Sequence, residues 1–369
     1  MSFIPVCEPR LAGNELEYVE DCIKTGWISS AGKYIDRFEE GFSAYCGRKY
    51  GIAVSNGTVA LQLAVAALDL PRDSEIIMPS FTIISCAMAA VYNGLKPVFV
   101  DADPETWCMD VRQIEEKINK NTSAIMVVHI YGHPVDMDPV LELVEKYNLR
   151  IIEDAAEAHG AEYKGGKCGS FGDISCFSFY ANKIITTGEG GMVLTDNEDL
   201  AERCRSLRNL SFKKEKRFYH TELGFNFRMT NIQAAIGLAQ LENINKAIEK
   251  KIWIGKLYNN LLRDVPYLQL PAEKEWAKNV YWMYGVVLDE KVGITAEKFA
   301  AKLKSRGVET RPFFFGLHEQ PVIEKDRPIE RLVVTEHISK FGLYLPSGLA
   351  LDENQVKTVV EKVKESLEE

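Results

Sequence analysis

Between about residues 50 and 200 the chain alternates short, near-continuous apolar runs with segments of helix length. The runs are EIIMP (75–79), KPVFVDAD (96–103), SAIMVVHIYG (123–132), LRIIEDAAEA (149–158), DISCFSF (173–179) and GGMVLTD (190–196). Ile- and Val-rich runs without polar alternation are what strands buried on both faces require, so this region predicts an α/β fold with a mainly parallel sheet. Loops that follow such strands gather at one sheet edge, where ligands bind. From Met229 the period changes. Ile232, Ala235, Ile236, Ala239, Ile244, Ile248 and Ile252 recur at helical spacing, with no proline before Pro266, which predicts a long helix leading out of the first region. Beyond it, VYWMYGVVLDE (280–290), AEKFAAKLKSRG (296–307) and ENQVKTVVEKVKESLEE (353–369) read as a smaller α+β unit. The expected division is a large domain over 1–245 and a small C-terminal domain over 246–369.

A chain of 369 residues exceeds one ordinary hydrophobic core, which agrees with that division. At 46% hydrophobic and 26% charged, it lies far from the composition of disordered chains. A net charge of −9 argues against a nucleic-acid partner, since phosphate neutralisation needs clustered Lys and Arg. The run Lys213–Arg217, interrupted by Glu215, reads as a solvated loop. Eight cysteines contain no C-x-x-C pair and no Cys/His cluster at zinc spacing, so the expectation is buried reduced thiols and no metal. The N-terminus lacks a basic region followed by an apolar core, and no apolar run is of membrane-spanning length. A cytoplasmic protein with no membrane partner is therefore expected. On that expectation the sequons at Asn56, Asn121 and Asn209 are not glycosylated.

Four features align with the predicted strand ends. Ser55-Asn-Gly-Thr58 is a glycine-containing turn entering an apolar helix; it serves either as a simple helix cap or as a phosphate cradle of free N–H groups. Asp154 ends the strand Ile151-Ile-Glu-Asp and needs a cationic or hydrogen-bonding partner, either a structural one or a cofactor's. Ser178 is either a core serine or a further contact to the same phosphate. Lys183 alone reads as a surface lysine. Set between Phe179-Tyr180 and a Gly-rich turn, though, partial burial would lower its pKa and favour nucleophilic or Schiff-base chemistry. Phosphate cradle, buried aspartate and activated lysine together point to pyridoxal 5'-phosphate. No G-x-G-x-x-G follows a first strand, which disfavours a nicotinamide dehydrogenase.

These residues also carry a family resemblance. The ordered motifs are Ser55-Asn-Gly-Thr58, Pro79-Ser-Phe-Thr82, Val100-Asp-Ala-Asp-Pro-Glu-Thr-Trp107, Glu153-Asp-Ala-Ala-Glu-Ala-His-Gly160 and Phe171-Gly-Asp-Ile-Ser175. Asn182-Lys-Ile-Ile-Thr-Thr-Gly-Glu-Gly-Gly191 and Asn226-Phe-Arg-Met-Thr-Asn-Ile-Gln-Ala-Ala-Ile-Gly237 complete the series. From about Pro5 onward the chain resembles the DegT-type sugar-nucleotide aminotransferases. With Thr25-Gly-Trp-Ile-Ser-Ser30 and His129-Ile-Tyr-Gly-His133 it most resembles their GDP-perosamine synthase branch.

The resemblance implies a fold-type-I aminotransferase whose 1–245 domain binds pyridoxal phosphate, working as a homodimer with shared active sites. It implies that Lys183 binds the cofactor covalently and moves protons, and that Asp154 pairs with the pyridine nitrogen. Gly57, Thr58 and Ser178 hold the phosphate by the same carry-over, Asn226 reaches it from the neighbouring subunit, and Glu157 lies near the ring hydroxyl. The implied reaction moves an amino group from L-glutamate to a nucleotide-linked 4-keto-6-deoxyhexose. In the perosamine branch this is GDP-4-keto-6-deoxymannose, converted for surface-polysaccharide synthesis. Three segments depart from the family pattern. Ile83 stands where many relatives carry a ring-stacking aromatic. Arg311-Pro-Phe-Phe-Phe-Gly-Leu-His318 lacks one branch histidine. Arg208-Asn-Leu-Ser-Phe-Lys-Lys replaces a Gly-containing loop. The departures leave UDP- or dTDP-linked ketosugars open as acceptors. A cofactor-dependent sugar dehydratase, which has histidine in place of the lysine, and a non-catalytic regulator would share the fold; Lys183 and the complete site set argue against both.

Overall fold

In the computed structural model, which describes residues 3–213, 216–324 and 331–368, seven strands form the central sheet. Lys214 and Glu215 of the basic run lie outside the described residues, as does Glu369. In spatial order the strands are Tyr50–Val54, Gly191–Thr195, Ile174–Ser178, Arg150–Asp154, Thr122–Val128, Glu75–Pro79 and Lys96–Val100. Only Gly191–Thr195 runs against its neighbours. The strands Ile174–Ser178 and Gly191–Thr195 are buried along their whole length, which is why their sequences show no polar alternation.

Strand direction and register decide where chemistry can gather. Val128 pairs with Asp154 and Asp154 with Cys176, while Ser178 pairs with Gly191 and Gly191 with Val54. The C-terminal ends of the parallel strands therefore share one edge. Ser55–Thr58, Ser80–Thr82, His129, Asp154–Glu157 and Ser178 all emerge there.

A second sheet is antiparallel and C-terminal, in the order Leu268–Gln269, Tyr284–Leu288, Gly342–Leu345 and Arg311–Pro312. The extreme N-terminal segment joins this part of the chain: Ile4 bridges Val308, and Ser347 N–H donates to the Val6 carbonyl at 3.0 Å. A small third sheet ties Ala277–Lys278 to Glu162–Tyr163.

The helical pattern from Met229 is two helices rather than one, Asn231–Leu241 and Ile244–Leu262. Thr230 and Gln233 cap the first reciprocally, and it ends at Glu242-Asn243. Apolar spacing runs across that break because both helices bury Ile or Ala faces, so periodicity alone does not reveal it. All eight cysteines are free; Cys7 is half-buried and the others are buried. Among the described residues no helix is long and apolar enough to cross a membrane.

Candidate active site

The edge of the sheet is shaped first by the turn after Val54. Asn56 accepts a hydrogen bond from Val59 N–H at 3.0 Å and so starts the helix Gly57–Leu68. Gly57 then lies against Ser178: a Cβ at Gly57 would stand 2.6 Å from the Ser178 Cβ and 3.0 Å from its Oγ. Thr58 Oγ1 lies 2.8 Å from Ser85 Oγ at the start of a neighbouring helix, Ser85–Tyr92. The N-terminus of helix Gly57–Leu68 thus lies against Ser178, and free N–H groups at such a terminus suit an anion.

Asp154 ends the central strand and is buried. Its carboxylate accepts from Ala156 N–H at 3.0 Å and from the Cys86 thiol at 3.2 Å. Burial raises its pKa, against the pull of Ala156, Cys86 and Lys183. A thiol is a weak donor, so this carboxylate has capacity left for a cationic N–H. Next to it in sequence, Glu153 is wholly occupied. It accepts from His129 Nε2 at 2.9 Å and from the N–H groups of Gly169, Phe171 and Gly172. Val135 N–H donates to His129 Nδ1 at 3.0 Å, so Nε2 carries the ring proton. That pair locks strand Arg150–Asp154 to its neighbour and fixes the direction of Asp154.

Lys183 sits in the turn after Ser178, its N–H bonded to the Tyr180 carbonyl at 2.9 Å. Its side chain is only 10% exposed, with Nζ 3.7 Å from Glu157 Oε1 and 3.4 Å above the Trp282 ring centroid. Burial depresses the ammonium pKa, against the carboxylates of Glu157 and Asp154. Glu157 also accepts from Tyr131 N–H at 2.8 Å, and burial pushes it up to about 7. A lysine with a depressed pKa beside a carboxyl group poised near neutrality can act as nucleophile and as proton carrier.

Lys183, Asp154, Glu157, Ser178, Gly57 and Thr58 thus share one sheet edge. Asn226 makes no hydrogen bond to them among the described residues, although its segment lies against the same turn, where Ser55 N–H donates to the Phe227 carbonyl at 2.8 Å. It is exposed, bridges Asn209 through its backbone, and accepts from Arg228 Nε at 2.8 Å. Ile83 is 45% exposed in the turn before helix Ser85–Tyr92. Two neighbours of the site, Cys86 on Asp154 and Trp282 on Lys183, had no sequence signal beyond lying in apolar runs.

Comparison with known proteins gives the family of the chain. Residues 9–364 match the DegT/DnrJ/EryC1/StrS aminotransferase family. The chain is 42% identical over 365 residues to the GDP-perosamine synthase of Escherichia coli O157:H7, covering 99% of each. It is 44% identical over 359 residues to that of Caulobacter vibrioides, covering 97% of this chain and 96% of the relative. Among solved structures, DesI in the presence of its TDP-sugar product superposes with a TM-score of 0.92 at 31% identity, covering 100% of this chain and 93% of that one.

Proposed function

Because this chain belongs to the DegT/DnrJ/EryC1/StrS aminotransferase family, we propose that it moves the amino group of L-glutamate onto GDP-4-keto-6-deoxymannose, giving GDP-perosamine. The acceptor follows from the two relatives named for that product, at 42% and 44% identity across nearly their full lengths. The setting we propose is surface-polysaccharide synthesis in the cytoplasm.

Family enzymes depend on pyridoxal phosphate, and the residues at the sheet edge fit it. The cradle of Gly57, Thr58 and Ser178 suits its phosphate. Asp154, buried with spare acceptor capacity, suits the pyridine N–H. Glu157 stands beside the ring hydroxyl in this reading. Lys183 is the point of covalent attachment, and Asn226 serves the phosphate of the neighbouring subunit in a homodimer. When bound, the cofactor supplies an electron sink for the pair released at the donor Cα.

The protein's own part is positioning and proton transfer. Asp154 keeps the pyridine nitrogen protonated, which a carboxylate does and an amide does not. With the cofactor bound, Lys183 Nζ would be the group that takes up and returns the proton released at the donor Cα, and would do the same for the sugar. Glu157, near neutrality in pKa and 3.7 Å from Nζ, holds a proton for that lysine.

The observation that carries the reading is the buried Lys183 amine placed beside Glu157 on the same edge as Asp154. Incubating the purified chain with glutamate and GDP-, UDP- or dTDP-linked 4-ketosugars in turn tests it. An aminosugar formed fastest from the GDP compound supports the proposal, whereas turnover only with another nucleotide overturns the acceptor assignment.

A further inference from the structure

Lys183 Nζ stands 3.4 Å from the centroid of the Trp282 ring, closer than any other ammonium–aromatic contact among the described residues. The indole is fixed at its edge. Trp282 Nε1 donates to the Asn182 carbonyl at 2.8 Å, the peptide group directly before Lys183, and the Cys7 thiol approaches the same carbonyl at 3.7 Å. The segment that carries the indole is pinned to the large sheet's edge as well. Val280 N–H donates to the Gly132 carbonyl at 3.1 Å, and a Cβ on Gly132 (φ 99°) would stand 2.8 Å from the Trp282 backbone nitrogen.

The contact closes a ring of residues. The Tyr131 ring is 6.2 Å from that of Trp282, Tyr131 N–H donates to Glu157, and Glu157 returns to Lys183 at 3.7 Å. Tyr131 takes a left-handed backbone (φ 51°), which a bulky residue keeps only where its surroundings hold it. Trp282 is 4% exposed, so the indole face is a desolvated surface on which a cation is held more firmly than in water.

We propose that the Trp282 face is the berth of the free Lys183 ammonium, a positioning contact that keeps Nζ beside Glu157 whenever the lysine is not covalently engaged. This rests on the reading of Lys183 as the catalytic lysine. An amine displaced by the incoming donor needs a defined place to wait, because a mobile four-carbon chain would lose its alignment with the reacting carbon. Trp282 supplies that place through its ring face, a weaker hold than a direct ion pair, so the ammonium is held yet still able to give up its proton. The charges acting on Nζ are those of Asp154, at the end of the central strand, and Glu157, in the loop after it; the buried His159, packed against Phe42, Phe177 and Phe179, is kept neutral, its pKa lowered to about 3 by burial. Across the Asn182 peptide stand Cys7 and the buried Lys251.

The test uses the full-length chain freed of cofactor. The pKa of Lys183 is read from the pH dependence of its labelling by acetic anhydride, quantified by mass spectrometry, in wild type, Trp282→Phe and Trp282→Leu. Loss of the aromatic face in Trp282→Leu lowers the Lys183 pKa by about one unit, while Trp282→Phe retains at least half of the effect. An unchanged or raised pKa in Trp282→Leu, or equal shifts in both variants, overturns the berth and leaves a packing role. Should Trp282→Leu not fold, the same decision falls to Trp282→Phe, where the berth predicts a small fall and a packing role none. A second readout separates this claim from the proposed function: borohydride trapping of added pyridoxal phosphate on wild-type Lys183. Absence of trapping sinks the catalytic reading, and the berth with it. Normal trapping with no pKa effect sinks the berth alone.

Discussion

Gly57 approaches Ser178 so closely that any side chain at position 57 would strike the serine, its Cβ standing 2.6 Å from the Ser178 Cβ. The contact joins the first helix of the sheet edge to the strand that leads into Lys183. Glycine here is a requirement of packing rather than of backbone freedom, since Gly57 lies in ordinary helix.

Gly57→Ala is accordingly expected to displace Ser178. Overpacking of this kind costs about 1–3 kcal/mol of stability. The larger consequence is for the cofactor: losing one charge-assisted hydrogen bond to its phosphate weakens binding by about tenfold or more. Thermal denaturation and titration with pyridoxal phosphate measure the two effects separately. Unchanged affinity would remove Gly57 and Ser178 from the phosphate site.

Asp154→Asn is expected to fold normally, because the amide fills the same volume, its oxygen can accept from Ala156 while its NH2 group donates to the Cys86 sulfur, and a buried ionisable group is removed. Turnover should nonetheless fall by on the order of a hundredfold or more, since an amide does not keep the pyridine nitrogen protonated. Steady-state kinetics at saturating cofactor decides it. Near-normal turnover would contradict the role assigned to Asp154.

Glu157 gives the cofactor-free protein a pH signature. Its ordinary pKa is about 4.5 and burial raises it to about 7. In that window the folded state binds more protons than the unfolded chain, so stability falls as pH rises from about 4.5 to about 7. The sign is opposite to that of a carboxylate in a strong ion pair. Glu157→Gln removes the term. Denaturant midpoints at pH 5 and pH 7.5 should show wild type losing stability relative to the variant, and a parallel pH dependence in the two proteins would refute the assignment.

Much of the sheet was legible, and the reason is local. Ile-Ile in 75–79, Ile-Met-Val-Val in 123–128 and Ile-Ile in 149–154 leave no alternative to strands buried on both faces, and the structure has strands at Glu75–Pro79, Thr122–Val128 and Arg150–Asp154. The direction of Gly191–Thr195 was not legible, because pairing sense depends on distant neighbours rather than on composition. The break at Glu242-Asn243 was hidden because the helices on either side keep the same apolar spacing. Within the site, Lys183, Asp154 and Ser178 stood out through their flanking residues. Trp282 did not, since its place over Lys183 results from the C-terminal part of the chain folding back past Gly132.

Asn226 belongs to the same lesson at the level of assembly. In one chain its side chain is exposed, and its side-chain hydrogen bond is with Arg228. If sites are shared between subunits, mixing Lys183→Ala and Asn226→Ala proteins should restore activity above either parent, because some mixed dimers carry one intact site. No recovery after verified subunit exchange would place each site within a single chain.

The central claim is that Lys183 carries the cofactor and exchanges it with an amino donor. The most direct measurement is the visible absorption spectrum of the purified chain with pyridoxal phosphate, before and after adding glutamate, with Lys183→Ala alongside. A band that depends on Lys183 and is bleached by glutamate is the predicted result. A spectrum identical in wild type and Lys183→Ala, or a band indifferent to glutamate, would contradict it.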